Sequence, residues 1–67
     1  MPHYYFDVKN GRRQLDSIGA ICRDDEDAIA MAKSIATKMA IDTPHLGQRR
    51  VVVINDLGQE IFETLVA

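Results

Sequence analysis

The sequence has few of the residues from which sites are usually built. It has one cysteine, no tryptophan, two prolines and four glycines among 67 residues. With Cys22 alone, no disulfide can form within the chain, and a reducing, cytoplasmic setting is the expected location. There is no basic surplus: eight Lys and Arg stand against ten Asp and Glu, for a net charge of −2. Non-specific affinity for nucleic acid comes mainly from neutralised phosphates, so this balance argues against nucleic acid as the principal partner. The longest apolar runs, Ala28–Ala32 and Val51–Ile54, fall far short of the ~20 residues that cross a bilayer. The opening, Met1-Pro2-His3-Tyr4-Tyr5-Phe6-Asp7, has no basic stretch followed by an apolar one, so a signal peptide is not expected. Membrane insertion is excluded from the expectations on the same grounds.

What is present is the composition of an ordinary globular domain, 46% hydrophobic and 27% charged. A single domain over residues 1–67 is expected. At 7.5 kDa such a domain encloses a substrate pocket of roughly 300–1,000 Å³ only with difficulty. Enzymatic activity is therefore not expected, and no cofactor is implied.

Tyr4, Phe6 and Val8 alternate with Tyr5 and Asp7, the period of a half-buried strand. Asn10-Gly11 signals a turn, Asp16-Ser17-Ile18-Gly19 a further one, and Ala20-Ile21-Cys22 a short second strand. Asp24 is placed to cap a helix whose first turn carries Asp25, Glu26 and Asp27, favourable beside the positive end of the macrodipole. Ala28, Ile29, Ala32, Ile35, Ala36 and Met39 share one helical stripe; Ile41 falls off it, which predicts a helix end near Ala40, before Pro44. Val51–Ile54 and Gln59–Val66 form a second hairpin around Asn55-Asp56-Leu57-Gly58. The expected fold is α+β, a two-layer sandwich of order β-β-α-β-β with one helix on a small, mainly antiparallel sheet.

A three-residue bulged turn places Asn55 opposite Gln59 and Val53 opposite Ile61. Val51, Val53, Ile61 and Leu65 then share one face, with Glu63 awkwardly among them. Val52, Ile54 and Phe62, joined by Tyr5, share the other. One helix shelters one face, and a two-layer domain normally keeps its second face wet. A bare apolar patch is unusual on a monomer, and association supplements the thin core of a small domain. Tyr5, Val52, Ile54 and Phe62 are thus the expected interface of a homodimer, with docking onto another protein as a further use. The competing reading is that Glu60, Thr64 and the long arginines shield these side chains.

The remaining candidates for chemistry have plainer explanations. His3, Cys22 and His45 show no metal-ligand spacing, and no metal site is expected. Asp24–Asp27 lacks the alternation and the glycine of a calcium loop and reads as capping charge. Ser17 lies in no nucleophile elbow, so no catalytic residue is singled out. Arg12-Arg13 and Arg49-Arg50 are the only basic concentration. They offer a patch for an anionic ligand, or else solvated charges that discourage edge pairing.

Met1-Pro2-His3-Tyr4-Tyr5-Phe6-Asp7-Val8 with Asn10-Gly11 following, Asp16-x-x-Gly19 before an acidic helix start, and Arg49-Arg50 leading into a valine-rich strand together resemble a family of short uncharacterised bacterial proteins. That family is a domain of unknown function whose members open M-P-x-Y-Y-F-D. The resemblance covers nearly the whole chain and implies an intracellular bacterial protein, without site residues to carry over. Ile54 departs from it, standing where a polar residue is expected. A looser likeness of layout links the chain to bacterial antitoxins, although the appended DNA-binding segment such proteins often carry is not expected here. The function expected from all this is a non-catalytic interaction or structural domain acting as a homodimer. The alternative is a nucleic-acid-associated or antitoxin-like regulator using Arg12, Arg13, Arg49 and Arg50.

Overall fold

The alternation of Tyr4, Phe6 and Val8 produces strand β1 (His3–Lys9) in the computed structural model, which describes residues 1–66. Ala67, the last residue of the expected domain, lies outside the described residues. A three-residue loop, Asn10–Arg12, with Gly11 at φ 90°, turns the chain into a two-residue strand, β2 (Arg13–Gln14). β3 (Ala20–Ile21), helix α1 (Asp25–Asp42), β4 (Arg50–Ile54) and β5 (Glu60–Leu65) follow. The strands form one antiparallel sheet in the order β2-β1-β4-β5, with β3 also pairing β1. The expected α+β fold is the observed one, with β2 added. Its polar Arg-Gln pair carries no strand pattern and is recruited by the hairpin alone.

The core lies between the helix and one sheet face. Ala28, Ala32 and Ala36 are buried against Tyr4, Phe6, Cys22, Val51 and Val53, and Ile35, Met39 and Phe62 pack on this cluster. Alanine at every fourth position lets the helix approach the sheet closely, and the bulk comes from the strands. Val51, Val52 and Val53 are each 0% exposed, so the central strand is buried on both faces. Each such side chain contributes roughly 1.5–3 kcal/mol through burial.

Both helix ends are held by side chains. Asp24 Oδ1 accepts from the Asp27 amide at 2.8 Å, and Asp27 Oδ2 accepts from the Arg23 amide at 2.9 Å. At the other end the helix runs two residues beyond the Ala40 read from the apolar stripe, leaving Ile41 exposed. The reason is Arg49, which donates to the Thr43 carbonyl at 2.6 Å and to Thr43 Oγ1 at 2.7 Å. Thr43 in turn donates to the Met39 carbonyl from its amide and its hydroxyl. The last turn contains no basic residue, so this guanidinium supplies the positive charge that the carboxyl end of the macrodipole favours.

The final hairpin departs from its expected register. The turn is as read: the Asn55 amide donates to the Gln59 carbonyl, and Gly58 takes φ 81°. A bulge then inserts Ile61, so that Ile54 faces Glu60 but Val53 faces Phe62 rather than Ile61. Every residue beyond it changes face. Phe62 joins Val51 and Val53 under the helix, with Lys33 Nζ 5.7 Å from its ring centre, while Glu63 and Leu65 move to the open face. The misplaced glutamate of the uninterrupted register disappears with this correction.

Arg49→Ala removes both bonds to Thr43 from a buried position and is expected to lower unfolding stability by about 2–3 kcal/mol in urea titrations, whereas Arg50→Ala has a much smaller effect. Gly19 has φ 69°, and a Cβ there would overlap the Tyr4 carbonyl and the His3 ring; Gly11 has open space around it. Gly19→Ala is accordingly expected to destabilise by more than ~2 kcal/mol and Gly11→Ala by about 1 kcal/mol, measured in the same way.

Candidate functional site

The face of the sheet turned away from the helix is built from alternate residues of each strand. Cross-strand pairing sets Tyr5 beside Ile54 and Glu60, Asp7 beside Val52 and Glu63, and Lys9 beside Arg50 and Leu65. Three of the four residues expected there, Tyr5, Val52 and Ile54, lie on this face. Phe62 does not, for the reason given by the bulge.

One half of the face is charged. Arg13 on β2 donates from Nε to Asp7 Oδ2 at 3.0 Å and from Nη1 to Glu60 Oε2 at 2.9 Å, linking β2 to β5 across the intervening strands. Glu63 takes Lys9 at 3.1 Å and Arg50 at 3.2 Å. Individually, exposed ion pairs contribute about 0–1 kcal/mol. Collectively their aliphatic stems roof Val52, which is sealed within the single chain. The shielding reading therefore holds for Val52.

The other half is apolar. His3 and Tyr5 meet with ring centres 5.0 Å apart, and Ile21 pairs with His3 across the strands. Tyr5, Asp7, Leu15, Asp16 and Ile54 line a shallow groove of about 280 Å³. Around it Leu15, Ile18 and Ile21 are 75%, 81% and 63% exposed.

These three residues sit on a segment that is tightly held. β2 pairs only with the far end of β1 and β3 only with its start, which leaves Phe6 between them. Asp16 fills the gap: its Oδ2 accepts from the Phe6 amide at 3.1 Å and its Oδ1 from the Ile18 and Gly19 amides, each at 3.0 Å. Asp7, almost wholly buried, accepts from the Asp16 amide at 2.9 Å and from Arg13. His3 Nε2 donates to the Ile18 carbonyl at 2.8 Å. Sequence reasoning missed this network. Its available signal was the aspartate three residues before a glycine that needs positive φ, the pattern of a side-chain-closed turn.

The four arginines do not form one patch. Arg49 is buried at the helix end, Arg50 is on the opposite sheet face, Arg13 is engaged by two carboxylates, and Arg12 is exposed at the first turn. The acidic helix start is likewise occupied by local bonds. Tyr4 donates to Asp25 at 2.6 Å, and this bond, with burial and nearby Asp24 and Asp25 charge, pushes its pKa up to about 12. Burial pushes the Cys22 thiol up, away from the reactive thiolate. Among the described residues no group of His, Cys, Asp and Glu side chains is arranged to hold a metal ion. No helix is long and apolar enough to cross a membrane.

Burial alone would raise the pKa of Asp16, but the amides of Gly19, Ile18 and Phe6 together outweigh it, and the carboxyl titrates below its ordinary value of 3.8. A pKa lowered by folding means stability that is present above the unfolded value and is lost as pH falls through the folded one. Asp16→Asn is expected to be less stable than the parent near neutral pH. That difference narrows as urea midpoints are followed from pH ~5 down to ~2.5, below the ordinary carboxylate value.

The family model described as a domain of unknown function, DUF6894, matches residues 3–67. No curated protein and no solved structure matches. The match takes in the β1 alternation, the Asp16 turn, the capped helix and the bulged hairpin together, and the chain belongs to the DUF6894 family.

Proposed function

We propose that the chain is a non-catalytic interaction domain that acts as a homodimer joined through the apolar half of its open sheet face. The observation that supports this is the trio Leu15, Ile18 and Ile21. They are among the most solvent-exposed aliphatic residues of the chain, and they lie outside its own core cluster. They are carried on a segment fixed by two aspartates, a glycine and a histidine, so little conformational freedom remains to be lost on association. Exposed apolar groups on a rigid support, rimmed by charge, are the makings of a protein interface.

The interface differs from the one the sequence suggested. Tyr5 and Ile54 remain in it, Val52 is already covered by ion pairs, and Phe62 belongs to the core. Its centre is displaced towards β3 and the Asp16 turn. Nucleic-acid binding finds less support, since Arg13 and Arg50 are paired with carboxylates and Arg49 serves the helix.

Sedimentation equilibrium at high micromolar concentration is expected to give twice the 7.5 kDa chain mass. The Leu15→Glu/Ile18→Glu double variant is expected to sediment as a single chain with an unchanged circular dichroism spectrum. A parent protein that stays at the single-chain mass removes the dimer.

A further inference from the structure

The two edges of the sheet are treated differently. The outer edge of β1 is closed along its length, by β2 at Val8 and Lys9, by the Asp16 carboxylate at Phe6, and by β3 at His3 and Tyr4. Among the described residues no strand pairs with the outer edge of β5, which is six residues long. The Val66 amide donates to the Arg49 carbonyl at 2.9 Å, and this fixes the phase of the ladder. Phe62, Thr64 and Val66 turn their backbone groups towards β4, while Glu63 and Leu65 turn theirs outward.

Edge strands are normally guarded by proline, by charge or by a bulge. β5 has no proline and no basic residue. Its two acids are drawn back over the open face, Glu60 to Arg13 and Glu63 to Lys9 and Arg50. Only the bulge at Ile61 interrupts it, and that leaves Phe62–Leu65 regular.

We propose that this edge accepts an added antiparallel strand from a different protein, an extended segment whose side chains alternate between basic and apolar. The alternation follows from what each side of the edge offers. On the open side, beside the exposed Leu65, Glu60 and Glu63 keep 49% and 33% of their side-chain surface exposed, and Glu60 shares the single cation of Arg13 with Asp7, so a basic residue of the added strand is matched at Glu60. On the helix side, Phe62 and the overhanging Lys33 favour an apolar neighbour and disfavour a basic one.

A second copy fits this edge poorly. The two-fold register centred on Glu63 sets one Glu63 directly opposite the other, where like charges are destabilising, and pairs Leu65 with the bulged Ile61. Shifting by two residues brings the bulge further into the ladder or leaves only Glu63–Leu65 of β5 facing one another. The edge is also remote from the Leu15, Ile18 and Ile21 surface, since β1 and β4 lie between them, so both surfaces work independently.

The test is titration of the ¹⁵N-labelled full chain with an end-blocked octapeptide alternating valine and arginine, at up to ~2 mM, within the range of weak strand addition. The amides of Glu63 and Leu65 are expected to shift and to exchange with solvent about tenfold more slowly, with smaller changes at Phe62 and Thr64. The matching valine–glutamate peptide and an N-methylated valine–arginine peptide are expected to have no effect. Leu65→Pro, which removes an outward amide but no ladder bond, abolishes the response, and Leu15→Glu/Ile18→Glu retains it. No response at the highest concentration, an equal response to the acidic peptide, or shifts centred on Leu15 and Ile21 would overturn the proposal.

Discussion

A central strand with three successive buried valines must be covered on both sides, and this chain has one helix with which to do it. Val51 and Val53 face the helix, while Val52 faces the other way and is equally sealed. The ion pairs of Arg13, Lys9 and Arg50 with Asp7, Glu60 and Glu63 are the second cover. Such pairs add little net stability as charges, but their methylene stems exclude water from the valine beneath. The cover is short, and it ends at the row of Tyr5 and Ile54. The division of the open face into a charged half and an apolar half follows from where the basic residues of β1, β2 and β4 happen to reach.

The bulge at Ile61 is the other half of the same solution. Without it Phe62 would stand on the open face and Glu63 would point at the helix. One inserted residue moves the aromatic ring into the core and the carboxylate to where Lys9 and Arg50 wait for it. Core and lattice therefore depend on a single irregularity, and each of the two supports the other's register.

Much of this could be read from the residues. The alternation in β1, the aspartate cap of α1, the alanine stripe and the Asn55–Gly58 turn all rest on local periodicity or local hydrogen bonding, and they appear where expected. What could not be read depends on partners distant in the chain. The helix extends to Asp42 because Arg49 arrives from beyond the loop. β2 exists because β1 offers an edge, not because Arg13 and Gln14 favour extension. The bulge is invisible to a period-two reading, which assigns Phe62 to the wrong face, and Glu63 in an apolar row was its one local sign. On the open face the sequence pointed to Tyr5 and Ile54 but passed over Leu15 and Ile18, which lie in a segment whose pattern matches neither helix nor strand, and Ile21, whose short strand gave no sign that it pairs with His3 on this face.

The Asp16 turn has one more implication. It is held from within, by carboxylates, backbone amides and a glycine, and none of its bonds involves the side chains of Leu15, Ile18 or Ile21. Scaffold and display are thus chemically separate. Substitution at the three displayed positions therefore changes the apolar character of the surface without removing a bond of the turn, so that covering and framework vary separately.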